Sequence, residues 1–207
     1  MGSFGKKNFI ALLIVGTPLL IGLTIVGSWF WSDVINKKPP LPKLGLVPEF
    51  SLVAEDKRHV TLNNLMGKVT VADFIFTECG GACPMMSTQM SNLQKQLSDE
   101  PQVEFVSFSV DPETDTPEVL AGYAKQYNAK KEKWMFLTGG KPEIFKLTRD
   151  GFHLAVDADT ANGGIFHSQK FVLIDPDATI RGYYDSEDSL AMKSLMTDAR
   201  RLVTLQH

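Results

Sequence analysis

Two cysteines four residues apart are the side chains of this sequence best suited to chemistry. Cys79 and Cys83 enclose two glycines and an alanine, and Pro84 follows directly. Two thiolates at this spacing can bind one soft metal ion, or they can be oxidised to a disulfide. The chain holds only these 2 cysteines, which excludes a disulfide-stapled fold and a four-thiolate structural zinc site.

The cysteines lie between a predicted strand and a predicted helix. Residues 69–76 form an apolar run interrupted by Asp73, which indicates a buried central strand. A stripe of apolar residues at helical spacing begins at Met86. In open α/β sheets, ligands gather at the carboxyl ends of strands. We expect the amides and dipole of the following helix to lower the pKa of both thiols.

The remaining segments alternate between strand and helix patterns, which predicts an α/β fold with a layered sheet. The turn at residues 175–178 predicts a hairpin between the last two strands. The predicted strands are residues 50–52, 59–62, 103–110, 134–137, 170–174 and 179–184, and the further helices are residues 116–127, 142–147 and 190–205.

A histidine is the best candidate for a third metal ligand, because imidazole extends the choice from Cu(I) to Cu(II) and zinc. His59, His153 and His207 are interpreted as solvated or incidental side chains. His167 directly precedes the strand at residues 170–174. If that strand neighbours the central strand, His167 approaches the cysteines, although spacing alone leaves both a ligand and a structural role open.

Other polar or soft side chains near the cysteines have simpler interpretations. Asp111, Asp115 and Asp175 lie beside turns or helix starts, so capping is favoured over metal binding. Met86 belongs to the apolar helix stripe and is expected in the core, whereas Met85 is a candidate auxiliary contact for Cu(I).

The N-terminus is predicted to anchor the chain in a membrane. Residues 9–31 carry no charge and are long enough to cross a bilayer as a helix. Lys6 and Lys7 precede this stretch, so residues 1–8 are expected in the cytoplasm and the rest outside. The predicted setting is a bacterial cytoplasmic membrane, crossed once, with the domain facing the periplasm.

Residues 32–48 are rich in proline and lysine and are interpreted as a semi-rigid tether to a domain at residues 49–207. The chain carries 21 basic and 24 acidic side chains, a net charge of −3. The acids all lie beyond residue 31, so the outer part is acidic and nucleic acid is excluded as a partner.

Four segments resemble the Sco/SenC family of thioredoxin-like copper chaperones, in the family's order. Residues 71–84 are similar to its CxxxCP region, and residues 109–117 to its SVDPxxDTP segment. Residues 134–139 and 167–176 resemble its later motifs, and the likeness spans residues 48–205. The resemblance implies a thioredoxin-like fold, with a central mixed sheet flanked by helices and preceded by one transmembrane helix.

The same resemblance implies that Cys79, Cys83 and His167 bind one copper ion, Cu(I) or Cu(II). It also implies delivery to the copper A centre of cytochrome c oxidase, so the oxidase's copper-binding subunit is the expected partner. An upstream copper donor and a thiol reductant are further possible partners, and an enzyme activity is not expected. The family commonly has proline after the first cysteine, where this chain has Gly80.

A thiol–disulfide oxidoreductase that reduces the acceptor's cysteines is the main alternative, and a redox or copper sensor is a third. Asp73 precedes Cys79 by six residues, as the buried acid of thioredoxin precedes its first active-site cysteine. Asp73 either assists proton movement at the thiols or is a strand acid satisfied by local contacts. Against thioredoxin activity, three residues separate the cysteines here, and His167 stands where thioredoxin has a cis-proline.

Overall fold

The computed structural model describes residues 24–26, 28, 39–154, 157–159, 164–166 and 168–205. The chain divides into two compact units, residues 1–40 and residues 41–207. In the first unit, residues 24–26 and 28 are helical. Within the described ranges no helix has the length and apolar character needed to cross a membrane, and most of the predicted anchor at residues 9–31 lies outside these ranges.

The second unit is built on a mixed sheet, which has eight strands within the described residues. The described strands are β1 (Gly45–Leu46), β2 (Ser51–Ala54), β3 (His59–Thr61), β4 (Val69–Ile75), β5 (Val103–Ser109), β6 (Trp134–Thr138), β7 (Asp157–Asp159), β8 (Gly164–Phe166), β9 (Lys170–Ile174) and β10 (Thr179–Asp185). The order across the eight-stranded sheet is β1-β10-β9-β4-β5-β6-β2-β3. Strands β4, β5 and β6 run parallel and the other pairs are antiparallel, while β7 and β8 form a separate hairpin.

The helices of the second unit begin where local sequence chemistry favours a start. The Thr116 hydroxyl accepts a hydrogen bond from the Val119 amide, and Pro117 occupies the first position of α2 (Pro117–Gln126). Pro84 lies in the first turn of α1 (Ala82–Gln96), where its missing N–H costs nothing. The helices are α1 (Ala82–Gln96), α2 (Pro117–Gln126), α3 (Lys141–Lys146) and α4 (Ser189–Thr204), with a 3-10 turn at Leu62–Asn64 and a π-helical turn at Leu147–Gly151.

The sheet separates two apolar cores, because successive strand residues point to opposite faces. Val71 and Ile75 of β4 lie in the core that contains Met86 of α1 and residues of α2 and α4. Phe74 of β4 lies in the other core and stacks on Phe108 of β5, with ring centroids 5.1 Å apart. By this alternation the side chain of Asp73 faces the core beneath α1.

The predicted α/β layered sheet and the hairpin of β9 and β10 are confirmed. The sheet also includes residues that the sequence interpretation assigned to the tether. Gly45 and Leu46 pair with Ile180 and Thr179 of β10. The Arg181 guanidinium, which is ion-paired with Asp175, donates hydrogen bonds to the Leu41 and Pro42 carbonyls. The second unit is therefore held together from Leu41 onward, before the predicted domain boundary at residue 49.

Candidate metal centre

Cys79 and Cys83 meet between the end of β4 and the start of α1. Cys79 is half-buried in the turn that follows β4, and its amide donates a hydrogen bond to the Phe76 carbonyl over 3.3 Å. Cys83 is the second residue of α1 and has no exposed surface. Neither cysteine is in a disulfide. The buried position of Cys83 is fixed by the packing of α1, whereas the position of Cys79 depends on the path of the turn.

The expected lowering of the pKa by the helix terminus is wrong for Cys83. Burial raises the pKa of this thiol well above its usual range, because the thiolate would lose its hydration. A hydrogen bond with the Phe76 backbone opposes the rise, while the Cys79 thiol and the Asp73 carboxylate add to it. Without metal, Cys83 is therefore a protonated thiol, and a metal ion that binds its sulfur must displace a proton.

Asp73 is a buried acid without a matching donor. It has no exposed surface, and neither carboxylate oxygen has a hydrogen-bond partner of normal geometry among the described residues. Burial raises the pKa of Asp73 to about 7, and the nearby Ser107 hydroxyl, from the register-paired position on β5, lowers it only partly. Local contacts therefore compensate the buried carboxylate of Asp73 only in part, and its role in proton movement at the thiols stays a prediction. Its charge also acts on Cys83, so an acid that titrates near neutral pH lies close to the thiols.

Replacing Asp73 with asparagine should flatten the pH dependence of stability of the reduced, metal-free chain. The pKa of Asp73 is about 7 in the folded state against 3.8 in the unfolded state. Between these values the folded state binds more protons, so the free energy of unfolding falls as pH rises, by about 1.4 kcal/mol per pH unit. Below pH 4 Asp73 is protonated in both the folded and the unfolded state, so it no longer makes the free energy of unfolding depend on pH.

Urea unfolding at pH 5 and pH 7.5 measures this effect. We expect the Asp73→Asn variant to gain about 2–3 kcal/mol relative to wild type between the two pH values. Asp177 is exposed, so the control Asp177→Asn should show no such gain. An equal difference between Asp73→Asn and wild type at both pH values would contradict the buried, unpaired state of this acid.

Two further acids and two methionines were singled out in the sequence, and the structure shows what each of them contacts or how far it is exposed. Asp175 caps its turn as predicted, accepting hydrogen bonds from the amides of Asp177 and Thr179. Asp115 does not cap α2, since its carboxylate accepts hydrogen bonds from the hydroxyls of Thr77, just beyond β4, and of Ser109 in β5, a role that sequence reasoning missed. Met86 is fully buried as predicted, and Met85 is 37% exposed.

The assignment of a histidine as the third metal ligand stays a prediction. His59 is exposed, as expected, and His153 is exposed with a backbone φ of 51°. His167 and His207 lie outside the described residues. Among the residues that are described, no three His, Cys, Asp or Glu side chains are grouped so that they could hold a metal ion. The described part of the site therefore contains two sulfur atoms, and their role as metal ligands stays a prediction.

The turn between the cysteines has room for a larger side chain at Gly80, where the family that the sequence resembles commonly has proline. A Cβ atom added at Gly80 would meet no atom within 4 Å. Gly81 is also uncrowded, since the nearest atom to an added Cβ is the Cys79 sulfur at 3.9 Å. Glycine is therefore not required at either position by close packing.

Known proteins match this chain along most of its length. The SCO1/SenC family model matches residues 39–204. A SCO1 protein homolog from Bacillus subtilis (strain 168) is 34% identical over 162 residues, which are 77% of this chain and 84% of that protein. The mixed sheet flanked by helices agrees with the thioredoxin-like architecture of Sco proteins.

Two solved structures extend the comparison. One is BsSco, a member of the Sco family of cytochrome c oxidase assembly proteins, in which a disulfide switch was identified. BsSco is 33% identical to this chain with a TM-score of 0.71, and the match covers 81% of this chain and 99% of BsSco. ScoI of Arabidopsis thaliana with copper bound is 26% identical with a TM-score of 0.64, covering 76% and 99% of the two chains. The extent of the family match and the identity to the Bacillus subtilis homolog place this chain in the SCO1/SenC family.

Proposed function

We propose that this protein is a membrane-anchored copper metallochaperone. It binds one copper ion, as Cu(I) or Cu(II), through Cys79, Cys83 and His167 and delivers it to the copper A centre of cytochrome c oxidase. The observation that carries the proposal is the pair of reduced cysteines at the junction of β4 and α1 in a SCO1/SenC chain. The copper-bound relative ScoI of Arabidopsis thaliana supports copper as the cargo.

The chemistry of the two sulfurs suits a cargo that must be released. Thiolates favour Cu(I), and an imidazole nitrogen would allow Cu(II) as well. Because Cys83 carries a proton in the metal-free protein, copper binding competes with protons and its affinity falls at low pH. Release then proceeds by exchange, as acceptor ligands replace the protein sulfurs and a proton returns to Cys83. Delivery of this kind is not catalytic turnover, so we do not propose an enzyme.

The proposed location follows from the sequence of the N-terminal region. An anchor at residues 9–31 crossing a bacterial cytoplasmic membrane once would place the domain in the periplasm, and residues 32–40 would link the anchor to the second unit. A tether of this length keeps the donor close to an acceptor in the same membrane. The copper-binding subunit of the oxidase is the proposed partner, supported by the oxidase-assembly role of the related BsSco.

A thiol–disulfide oxidoreductase is the second candidate, and Asp73 is the observation that favours it. A buried acid with a pKa of about 7 beside a protonated thiol can accept the proton that Cys83 must lose before its sulfur attacks a disulfide. The exchange would form the Cys79–Cys83 disulfide, and two electrons and two protons would pass to the acceptor's cysteines. The related BsSco, with its disulfide switch, is consistent with this chemistry.

Mixing the detergent-solubilised full chain with the copper-free copper-binding domain of the oxidase separates the two candidates. Reduced, copper-loaded chain should transfer copper to an acceptor whose cysteines are already reduced, measured as the copper content of the re-isolated acceptor. Reduced chain without copper, in the presence of a tight copper chelator, should leave that acceptor free of copper. If metal-free chain instead reduces an oxidised acceptor, and free copper then suffices, the oxidoreductase is the correct function.

A further inference from the structure

Asp115 is a buried carboxylate between the ends of the two central parallel strands. It lies in the segment that joins β5 to α2 and has no exposed surface. Its backbone amide donates to the Asp111 carbonyl over 2.9 Å, which closes the turn that brings it back toward the sheet. Because Thr116 already caps α2, the carboxylate of Asp115 is not needed to begin that helix.

The carboxylate is used instead to connect the exits of β4 and β5. The Thr77 hydroxyl donates to one carboxylate oxygen over 2.5 Å, and the Thr77 amide lies 3.2 and 3.3 Å from the two oxygens. The Ser109 hydroxyl donates to the other oxygen over 2.5 Å and accepts from the Asp111 amide over 3.1 Å. We call Thr77, Ser109 and Asp115 the strand-exit clasp.

The clasp holds the chain immediately before the first cysteine. Thr77 precedes Cys79 by two residues, and Glu78, Gly80 and Gly81 are all exposed. The turn is held at its two ends, by α1 on one side and by Thr77 on the other, and by the hydrogen bond from the Cys79 amide to the Phe76 carbonyl. Cys83 belongs to the packed face of α1, so the separation of the two sulfurs depends on how firmly Thr77 is held.

We propose that Asp115 is a positioning residue for Cys79: by fixing Thr77 it holds the Cys79 sulfur within reach of the Cys83 sulfur. The inference rests on the proposed function where copper is concerned, since it takes Cys79 as a copper ligand. It extends equally to the disulfide, because both reactions need the two sulfurs together. Holding reactive groups in place before the reaction removes the entropic cost of bringing them there.

The chain offers a matched control in Glu104, a second buried carboxylate on the same two strands. Glu104 is 2% exposed and lies opposite Thr70 at the other end of the β4–β5 pair. It accepts hydrogen bonds from Lys68 over 2.7 Å and from Thr70 over 3.2 Å. Replacing it removes a comparable buried link between β4 and β5, but far from the cysteines.

The equilibrium of the full-length chain with glutathione tests the inference without metal. Oxidised glutathione and the two thiols exchange to give the Cys79–Cys83 disulfide and two molecules of reduced glutathione, so electrons and protons balance. We expect Asp115→Ala to lower this equilibrium constant by about 10-fold, a shift of about 30 mV toward easier reduction. Asp115→Asn should recover most of the loss, because its amide can accept from Thr77 and donate to Ser109. Glu104→Ala should stay within about 3-fold of wild type.

Thr77 provides a milder pair of variants in case Asp115→Ala does not fold. Thr77→Val removes the hydroxyl donor at nearly constant shape and should shift the equilibrium in the same direction, whereas Thr77→Ser keeps the donor and should resemble wild type. The inference is overturned if Asp115→Ala and Thr77→Val both stay within 3-fold of wild type, or if Glu104→Ala shifts the constant as much as Asp115→Ala.

Copper measurements on the same variants separate this inference from the proposed function. Asp115→Ala should weaken Cu(I) binding by about 10-fold, measured by competition with a chromophoric chelator. If wild type binds no copper, the proposed function fails while the glutathione result still decides the role of Asp115. If wild type binds copper and no clasp variant changes either equilibrium, only the positioning role fails.

Discussion

Replacing Cys79 with serine is expected to lower the affinity of the reduced chain for Cu(I) by about 1,000-fold. Loss of one thiolate is expected to cost about 4 kcal/mol of a binding free energy of about 12 kcal/mol, which corresponds to this factor. A serine hydroxyl is a poor substitute because Cu(I) prefers soft sulfur ligands. Cys79 is half-buried in a turn with exposed neighbours, so the fold should tolerate the change. Competition with a chromophoric Cu(I) chelator measures the affinity.

Cys83→Ser and Met85→Leu complete this experiment. Cys83→Ser should lose copper to the same extent and should also lower the free energy of unfolding, because it places a hydroxyl at a position with no exposed surface. Met85 is 37% exposed and adjoins the site, so Met85→Leu controls for loss of a nearby sulfur and should change affinity by less than about 3-fold. Retention of tight binding by Cys79→Ser would refute the two-thiolate site, whereas an equal loss in Met85→Leu would show that Met85 also binds the copper ion.

Replacing His167 with alanine is expected to weaken copper binding by about 100-fold, with a larger effect on Cu(II) than on Cu(I). Two thiolates alone can still hold Cu(I), whereas Cu(II) depends more strongly on an imidazole nitrogen. The loss should appear in binding and not in the glutathione equilibrium of the two cysteines. Equilibrium dialysis of both copper states, beside the glutathione titration, measures the difference.

His153→Ala is the matched control for that variant. His153 is exposed and precedes His167 in the sequence, and it is not one of the proposed ligands. Its loss should therefore leave copper affinity within about 3-fold of wild type. If His167→Ala keeps wild-type affinity for both copper states while the cysteines still exchange with glutathione, the ligand assignment is wrong and the redox function gains support.

Local patterns predicted the elements that carry the site. The apolar run at residues 69–76 became β4, and the Thr116-Pro117 start became the capped N-terminus of α2. Strand β1 escaped prediction because its pairing with β10 joins residues that are distant in sequence, and its proline-rich surroundings are typical of a linker. The π-helical turn at Leu147–Gly151 was likewise missed, since no spacing of apolar residues marks it.

The chemistry of the site was less predictable than its position. The sequence places Cys83 near a helix N-terminus, but the sign of its pKa shift depends on burial beneath α1, which only packing determines. Asp115 and Thr77 are 38 residues apart in the sequence, so their hydrogen bond could not be inferred from a local pattern. The local pattern favoured a capping role for Asp115 instead. Asp73 shows the same limit, because a missing hydrogen-bond donor cannot be inferred from a strand pattern.

X-ray absorption at the copper edge of the reduced, copper-loaded full chain identifies the atoms bound to the metal, and so decides whether Cys79, Cys83 and His167 are the ligands. We expect one copper ion per chain with two sulfur neighbours and one nitrogen neighbour, and we expect His167→Ala to remove the nitrogen alone. A copper ion surrounded only by nitrogen or oxygen, or a His167→Ala spectrum identical to that of wild type, would refute this ligand set.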